Sequence, residues 1–223
     1  MYTPQRDNEP EKLFGNRSYE EQKFLYNPII KGKVRHFRHK NFHQYLDIVK
    51  RYANGKTMLD IGCAHGFFPF FAKNDGLNVS AIEPDEQMFR FAKEELGLDI
   101  QNGVLSEIDL KNNKFDIITL TDALEYFVDP VADLSSLRNH LNEKGIVFIK
   151  VPNGNYFRMR NFLDKKLKRN TESTMAFTPP KRVAHYTKHT LRLLLEKAGY
   201  KEMKDVKKDL YDGLFEGHRV EMA

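Results

Sequence analysis

Cysteine is almost absent from this sequence of 223 residues. Cys63 is the single cysteine, so no internal disulfide can form, and a reducing cytoplasm is the expected compartment. No apolar run approaches the ~20 residues that a membrane-spanning helix needs. Residues 1–17 are polar and lack the apolar core of a secretory signal, so we expect them to form a flexible N-terminus. These absences argue against the disulfide-stabilised and membrane-spanning classes of protein.

Neither sign of charge is in large excess. The net charge is +5, with 40% hydrophobic and 30% charged residues, which is typical of globular proteins and does not by itself imply nucleic acid. Acidic residues are missing between Gln22 and Leu46, where six basic residues fall, and a second basic cluster spans Lys165–Arg169. Such clusters are most often solvated helix faces. The alternative is that both flank the mouth of a site for an anionic substrate.

Strand and helix patterns alternate along the middle of the chain. Continuous Val, Ile and Leu runs predict strands buried on both faces, as in a parallel sheet. These strands are Met58–Ile61, Val79–Ile82, Phe115–Leu120 and Ile146–Val151. The helices between them are Phe67–Asn74, Glu86–Leu96 and Val131–Leu141, with Gly76, Gly97 and Gly145 as the glycines that end them. The pattern predicts a doubly wound α/β domain.

Further helices flank this core. Ser18 and Glu21 have the spacing of a capping box, which predicts a helix from Tyr19. Other predicted helices are Val34–Ala53, Tyr156–Leu167 and a helix capped by Thr187 that runs through Ala198, and two last strands are joined around Asp212-Gly213. We therefore divide the chain into N-terminal helices (18–55) and a main domain (56–223). An insertion at about 152–186 would cover the substrate.

The turn Gly62-Cys63-Ala64-His65-Gly66 connects a buried strand to a helix. Small residues there let a ligand approach backbone N–H groups at the helix start. The dinucleotide fingerprint requires a third glycine where this sequence has Phe67. Asp60, at the end of a buried strand, needs a partner such as an ammonium group, and Glu83, at the tip of the next strand, can accept hydrogen bonds from ribose hydroxyls. S-adenosylmethionine carries both groups and fits at least as well as a dinucleotide.

Several stretches, in order, resemble a known family. MLDIGCAHGFFPFFAKNDGLNVSAIEPDEQMFRFAKEELG looks like the first half of a class I S-adenosylmethionine-dependent methyltransferase. KFDIITLTDALEYFVDP is similar to its fourth strand and the loop that follows, and LRNHLNEKGIVFIKVPN to its fifth helix and strand. The resemblance covers roughly residues 56 to 210 and is closest to the ubiquinone-biosynthesis O-methyltransferases. It implies a Rossmann-like, doubly wound, mostly parallel sheet of seven strands with an antiparallel last strand and a helical N-terminal cover.

The resemblance also implies roles for single residues. Those at the methionine end of the cofactor would be Asp60, Gly62, Ala64 and Gly66. Glu83 would hold the ribose, and the adenine would lie beside Pro84, Met88, Gly103, Val104 and Leu105. The residues near the sulfonium would be Leu120, Thr121 and Asp122. The sequence departs from the family at Ala64, where glycine is common, and at Tyr126, where this branch has histidine. The role of that histidine is therefore not transferred to Tyr126.

Methyl transfer to a hydroxyl requires alignment and removal of the hydroxyl proton. His185 is the predicted base and Glu125 the alternative. The predicted substrate contacts are Tyr126, Tyr156, Arg35 and Arg38. No metal is expected, although His39 and His43 have the spacing of a ligand pair, because no cysteine or acidic ligand lies nearby in the sequence. Cys63 is expected to pack inside the turn rather than to act as a nucleophile.

The function that these features predict is O-methylation of a small molecule or glycan, with S-adenosyl-L-homocysteine as the second product. A methyltransferase acting on RNA or protein is one alternative, and a cofactor-binding partner subunit without its own chemistry is another. A dehydrogenase fits less well because of Phe67. Nucleic acid and membranes are not expected partners, an anionic acceptor would suit the basic clusters, and the oligomeric state is left open.

Overall fold

The computed structural model describes residues 18–33, 36, 38–167, 183–206 and 215–221. The predicted flexible N-terminus, Arg35 and the turn at Asp212-Gly213 lie outside the described residues. No helix in the described part of the chain is long and apolar enough to cross a bilayer.

The described elements alternate between strands and helices from residue 57 onward. The strands are β1 Thr57–Ile61, β2 Asn78–Glu83, β3 Asp99–Asn102, β4 Phe115–Thr121, β5 Leu141–Pro152, β6 Glu202–Val206 and β7 Phe215–Glu221. The α-helices are α1 Tyr19–Ile30, α2 His39–Tyr52, α3 Phe67–Asn74, α4 Glu86–Glu94, α5 Pro130–Arg138, α6 Gly154–Lys166 and α7 Lys188–Lys197. Two short 3₁₀ helices span Leu105–Glu107 and Leu124–Tyr126.

The strands form one sheet in the order β3-β2-β1-β4-β5-β7-β6. Strands β1 to β5 pair in parallel, while β7 pairs antiparallel with both β5 and β6. The predicted α/β, Rossmann-like class is therefore confirmed. The chain order reverses between β1 and β4, and ligands of such sheets bind outside the carboxyl ends of the strands at this reversal.

Helices cover both faces of the sheet. On one face α2, α3 and α4 pack on the strands through an aromatic-rich core that includes Phe42, Phe67, Phe91 and Phe148. On the other face α5 and α7 contribute leucines to a second core. Neighbouring residues of β1 join different cores, Met58 the first and Leu59 the second, because successive side chains of a strand point to opposite faces. The uninterrupted apolar runs in the sequence follow from this two-sided burial.

The N-terminal helices differ in how well the sequence predicts them. α1 begins at Tyr19 as predicted, with Ser18 and Glu21 forming the reciprocal capping box. α2 begins at His39, so the predicted start at Val34 is wrong. The reason is His36, whose Nδ1 accepts the Arg38 N–H at 3.1 Å while its ring packs against Phe67, with 4.5 Å between the ring centroids. Burial lowers the pKa of His36 to about 4, so its neutral imidazole holds a turn here.

α5 is also shorter than its prediction. It ends at Arg138, and Leu141, which the sequence places in this helix, instead begins β5 and pairs with Phe115 of β4. Gly145 lies inside β5 rather than at a helix end. A Cβ at Gly145 would lie 2.9 Å from the Phe115 carbonyl oxygen, so the glycine permits the close approach of the two strands. α7, in contrast, begins after Thr187 as predicted, with Thr190 completing the cap.

Candidate cofactor and acceptor site

The glycine turn after β1 has a backbone that few side chains tolerate. Gly62, Ala64 and Gly66 all have left-handed φ angles, of 70°, 52° and 76°. A Cβ on Gly62 would lie 2.8 Å from Cβ of Ala123, and one on Gly66 would lie 2.8 Å from Cβ of Ala92. The two glycines are thus required by both conformation and space, whereas Ala64 accepts the left-handed strain. The Gly62 N–H donates to the Ile82 carbonyl at 2.9 Å and fixes the turn beside β2.

Asp60 is fully buried at the foot of this turn. Its Oδ1 accepts a hydrogen bond from Thr119 Oγ1 at 2.5 Å, whereas Oδ2 has no hydrogen-bond partner among the described residues. Burial raises the pKa of Asp60 to about 7, and the nearby Glu83 adds to this rise. A buried carboxylate with one unused oxygen is unfavourable by itself. The arrangement fits a positively charged ligand group better than it fits an empty core.

Glu83 ends β2 and is also buried. Its Oε2 accepts the Ala64 N–H at 2.7 Å, and its Oε1 accepts the Asp85 N–H at 2.9 Å. Burial raises its pKa to about 7, against the lowering effect of these two N–H groups. Each carboxylate oxygen keeps further acceptor capacity, so hydroxyls of a ribose can still bind. The Gly103 N–H donates to the Glu83 carbonyl at 3.1 Å, which joins the end of β3 to the same place.

The other predicted cofactor residues surround this edge of the sheet. Pro84 is exposed beside Glu83, and Met88 is buried in the first turn of α4. Val104 and Leu105 are half-buried after Gly103. Leu120, in contrast, belongs to the core beneath α5 and α7, so its side chain points away from the Asp60 face and only its backbone borders the site. Thr121, half-buried, is the residue of this pair on the Asp60 face.

A charged cluster lies at the ends of β4 and β5. Asp122 has a left-handed φ of 58° and forms ion pairs with Lys150 and Arg38, the latter at 2.5 Å between Oδ2 and Nη2. Lys150 is 1% exposed, and burial lowers its pKa against the opposing influence of Asp122. Lys150 is absent from the site residues that the sequence predicts. The available signal was a single lysine within the apolar run Ile146–Val151.

The predicted bases lie together beyond the end of β4. Glu125 is 1% exposed, so surface exposure does not explain this carboxylate. Its carbonyl accepts the N–H groups of Val183 and Ala184 at 2.9 and 3.1 Å, which brings the half-buried His185 to this edge. Tyr186, also not predicted, is buried, and its hydroxyl has no hydrogen-bond partner among the described residues. Burial, with a smaller effect of Glu125, raises the pKa of Tyr186 to about 12.

The two predicted substrate tyrosines and the single cysteine remain to be placed. Tyr126 is half-buried in the 3₁₀ helix after β4, whereas the side chain of Tyr156 lies outside the described part. Cys63 is buried, and burial raises the pKa of its thiol, so it is not a reactive thiolate.

The predicted histidine pair is in contact on α2. His39 and His43 approach to 3.0 Å between their Nε2 atoms. Within the described ranges, no three His, Cys, Asp or Glu residues are placed to hold a metal ion.

In a comparison with protein families, the sequence matches the family described as methyltransferase domain. The matched residues, 37–203, make up well over half of the chain. The chain belongs to this methyltransferase family. At the level of the family, the predicted resemblance and the predicted class of enzyme are confirmed. The predicted cofactor, S-adenosylmethionine, is confirmed as well, and the dehydrogenase alternative is set aside.

A curated relative supports the assignment to this family. The chain is similar to a ubiquinone biosynthesis O-methyltransferase of Actinobacillus pleuropneumoniae, with 31% identity over 121 residues that cover 48% of this chain and 52% of the relative. The match therefore spans about half the length of that protein.

Two solved structures share the fold. A SAM-dependent methyltransferase of Thermotoga maritima matches with a TM-score of 0.61 at 20% identity, covering 92% of this chain and 94% of its own. A plantazolicin methyltransferase in complex with SAH matches with a TM-score of 0.64 at 14% identity, covering 96% and 93%.

Proposed function

We propose that this methyltransferase transfers the methyl group of S-adenosylmethionine to an oxygen atom of a small-molecule acceptor. The observation that carries the proposal is the buried Asp60, whose Oδ2 is unpaired among the described residues, directly below a turn with three left-handed residues. An amino-acid ammonium group supplies the missing partner, and the bare turn leaves room for the backbone of that amino acid. The relative named as an O-methyltransferase supports oxygen as the acceptor atom.

The cofactor would extend from Asp60 along the carboxyl ends of β1, β2 and β3. Glu83 would accept hydrogen bonds from its ribose, and Gly103 would border its adenine. The full set assigned to cofactor binding is Asp60, Gly62, Ala64, Gly66, Glu83, Pro84, Met88, Gly103, Val104, Leu105, Leu120, Thr121 and Asp122. The proposal includes the complete sheet of seven strands with an antiparallel last strand, which the pairing of β7 with β5 and β6 supports.

S-adenosylmethionine supplies an activated methyl group, so the protein's main tasks are alignment and proton removal. We assign proton removal to His185, with Glu125 as the alternative. The assignment of His185 is supported by the attachment of the 183–186 segment to the end of β4 through the Glu125 carbonyl. An imidazole has an ordinary pKa near neutrality, which suits it to accept a hydroxyl proton.

The N-terminal helices and residues 152–186 would cover the acceptor. The cover is supported by two contacts of the N-terminal segment with the site. Tyr26 of α1 packs edge-on against His65 in the glycine turn, with 4.8 Å between ring centroids, and Arg38 pairs with Asp122 at the end of β4. An anionic acceptor would suit the basic residues of this segment. A cytoplasmic location, which the single cysteine supports, is part of the same proposal.

Calorimetry with S-adenosyl-L-homocysteine (SAH) and NAD tests the cofactor site, and transfer of labelled methyl groups to fractions of a cell extract tests the acceptor. We expect SAH to bind at least about tenfold more tightly than NAD, a difference of roughly 1.4 kcal/mol. The label should enter small molecules through bonds to oxygen. Comparable NAD binding would contradict the site assignment. Transfer mainly to RNA, with a steep dependence on salt, would favour the RNA alternative instead.

A further inference from the structure

Lys150 points toward the face of the sheet on which the cofactor site is built. Alternate residues of a strand share a face, and Ile146 and Phe148 of β5 belong to the core beneath α2. Lys150 continues this series. Thr119 of β4 pairs with Asp60 of β1 on one side and with Phe148 of β5 on the other. Lys150 pairs with Thr121, two residues nearer the carboxyl ends of the same strands. The lysine therefore lies on the Asp60 side, two strands away, next to the end of β4.

The groups that hold Lys150 come from two other parts of the chain. Asp122, directly after β4, forms an ion pair with Lys150, and its N–H donates to the Lys150 carbonyl at 2.8 Å. Arg38, directly before α2, pairs with the other oxygen of Asp122. The negative charge of Glu125 favours the protonated form of Lys150. Asp122 and Arg38 are 22% and 31% exposed at their side chains, so the cluster leads from the buried lysine to the surface at this edge.

Stability alone gives little reason for such a cluster. A buried ion pair is often no more stabilising than apolar residues of similar size, because both charges lose their hydration. Asp122 also adopts a left-handed backbone conformation, which is unfavourable for a residue other than glycine. Buried charges and strained residues concentrate at functional sites. Both occur here at the carboxyl edge of the strands, beside the cofactor site.

We propose that Lys150, held in place by Asp122, is the cation that receives the ionised oxygen of the methyl acceptor. The proposal rests on the proposed methyl transfer to oxygen and adds a residue that contacts the acceptor. On binding, the acceptor hydroxyl gives its proton to the proposed base His185, and the resulting oxyanion pairs with the ammonium group of Lys150. Amines are disfavoured at this position, because their methylation places a new positive charge beside Lys150 and Arg38.

A direct test uses 4-nitrophenol, whose ionised form absorbs visible light, in the presence of saturating SAH. Absorbance titrations across pH give the ionisation midpoint of the bound phenol. With the unaltered protein, we expect that midpoint to lie about one pH unit or more below that of free 4-nitrophenol, which corresponds to at least tenfold stabilisation of the oxyanion.

Two variants give the comparison. Lys150→Met removes the charge and should abolish the shift and weaken nitrophenolate binding about tenfold or more. Lys144→Met removes an exposed lysine of the same strand and should leave both unchanged. If Lys150→Met folds poorly, as judged by thermal unfolding, Lys150→Arg preserves a positive charge and should retain the shift.

The outcomes separate this proposal from the one on which it rests. SAH binding to the unaltered protein with no shift of the nitrophenol midpoint, or an equal shift in Lys150→Met, overturns the role of Lys150 and leaves the cofactor site standing. Loss of the shift in Lys150→Arg also overturns it. Failure of the unaltered protein to bind SAH overturns both proposals.

Discussion

Lowering the pH from 8 to 6 should weaken SAH binding to this protein. Burial, with a smaller effect of Glu83, raises the pKa of Asp60 to about 7, and one of its oxygens lacks a hydrogen-bond partner among the described residues. An ammonium group binds the ionised carboxylate, so at pH 6 the proton must leave before the ligand binds. Asp60 alone, with a pKa near 7, lowers the affinity by about tenfold between pH 8 and pH 6, or roughly 1.4 kcal/mol. Glu83, whose pKa is also raised to about 7, adds to this fall if the ribose binds its ionised form.

Calorimetry at both pH values, repeated in buffers of different ionisation enthalpy, measures this effect in two independent ways. At pH 6 Asp60 should release about one proton for each SAH that binds, and at pH 8 almost none. Asp60→Asn should bind SAH more weakly at pH 8 and lose the part of the proton release that Asp60 contributes. Asp47→Asn, which changes an exposed carboxylate of α2, is the matched control and should behave like the unaltered chain. An affinity that stays constant from pH 6 to pH 8 would refute the reasoning.

Three further changes have definite expected results. Glu83→Gln should weaken SAH binding by about 1–3 kcal/mol in calorimetry, since its amide nitrogen cannot accept a hydrogen bond; unchanged affinity would remove Glu83 from the ribose site. Gly66→Ala should lower the free energy of unfolding by about 2–4 kcal/mol, from left-handed strain and overpacking together. Denaturant titration should show a smaller loss of unfolding free energy for Gly97→Ala, because Gly97 has a similar φ of 61° but no atom lies within 4 Å of the added Cβ. Equal losses for the two variants would exclude overpacking as a cause. His185→Ala should reduce turnover by about 10²-fold or more while SAH affinity stays the same; if Glu125→Gln carries this defect instead, the carboxylate is the base.

Much of the fold follows from local sequence patterns. Four of the parallel strands, β1, β2, β4 and β5, are visible because burial on both faces leaves apolar runs, whereas β3 has only Ile100 as an apolar residue. The helix starts at Tyr19 and after Thr187 are visible because their caps involve neighbouring residues. The start of α2 is different, since His36 is held by the ring of Phe67 from a distant part of the chain. Likewise, Leu141 leaves helix α5 for β5 because it pairs with Phe115, a contact that helical periodicity does not reveal.

The candidate site was predictable to the extent that its residues sit next to a strand end. Asp60 and Glu83 are recognisable because a carboxylate interrupts or ends an apolar run, and the structure places both at the same edge of the sheet. The Lys150 cluster depends on tertiary contacts, because Arg38, Asp122 and Lys150 come from three separated segments. The second role of Glu83, as acceptor for the Ala64 N–H, depends in the same way on the folded turn.

The hydrogen bond from Ala64 to Glu83 bears on how a ligand enters the site. Ala64 adopts its left-handed conformation, and its N–H is held at 2.7 Å by the buried carboxylate, through contacts within the chain itself. The conformational entropy of the turn is thus lost during folding rather than during association. Recognition of the amino-acid and ribose portions then begins from a preorganised surface, and the free energy released by their contacts contributes to affinity instead of ordering the loop.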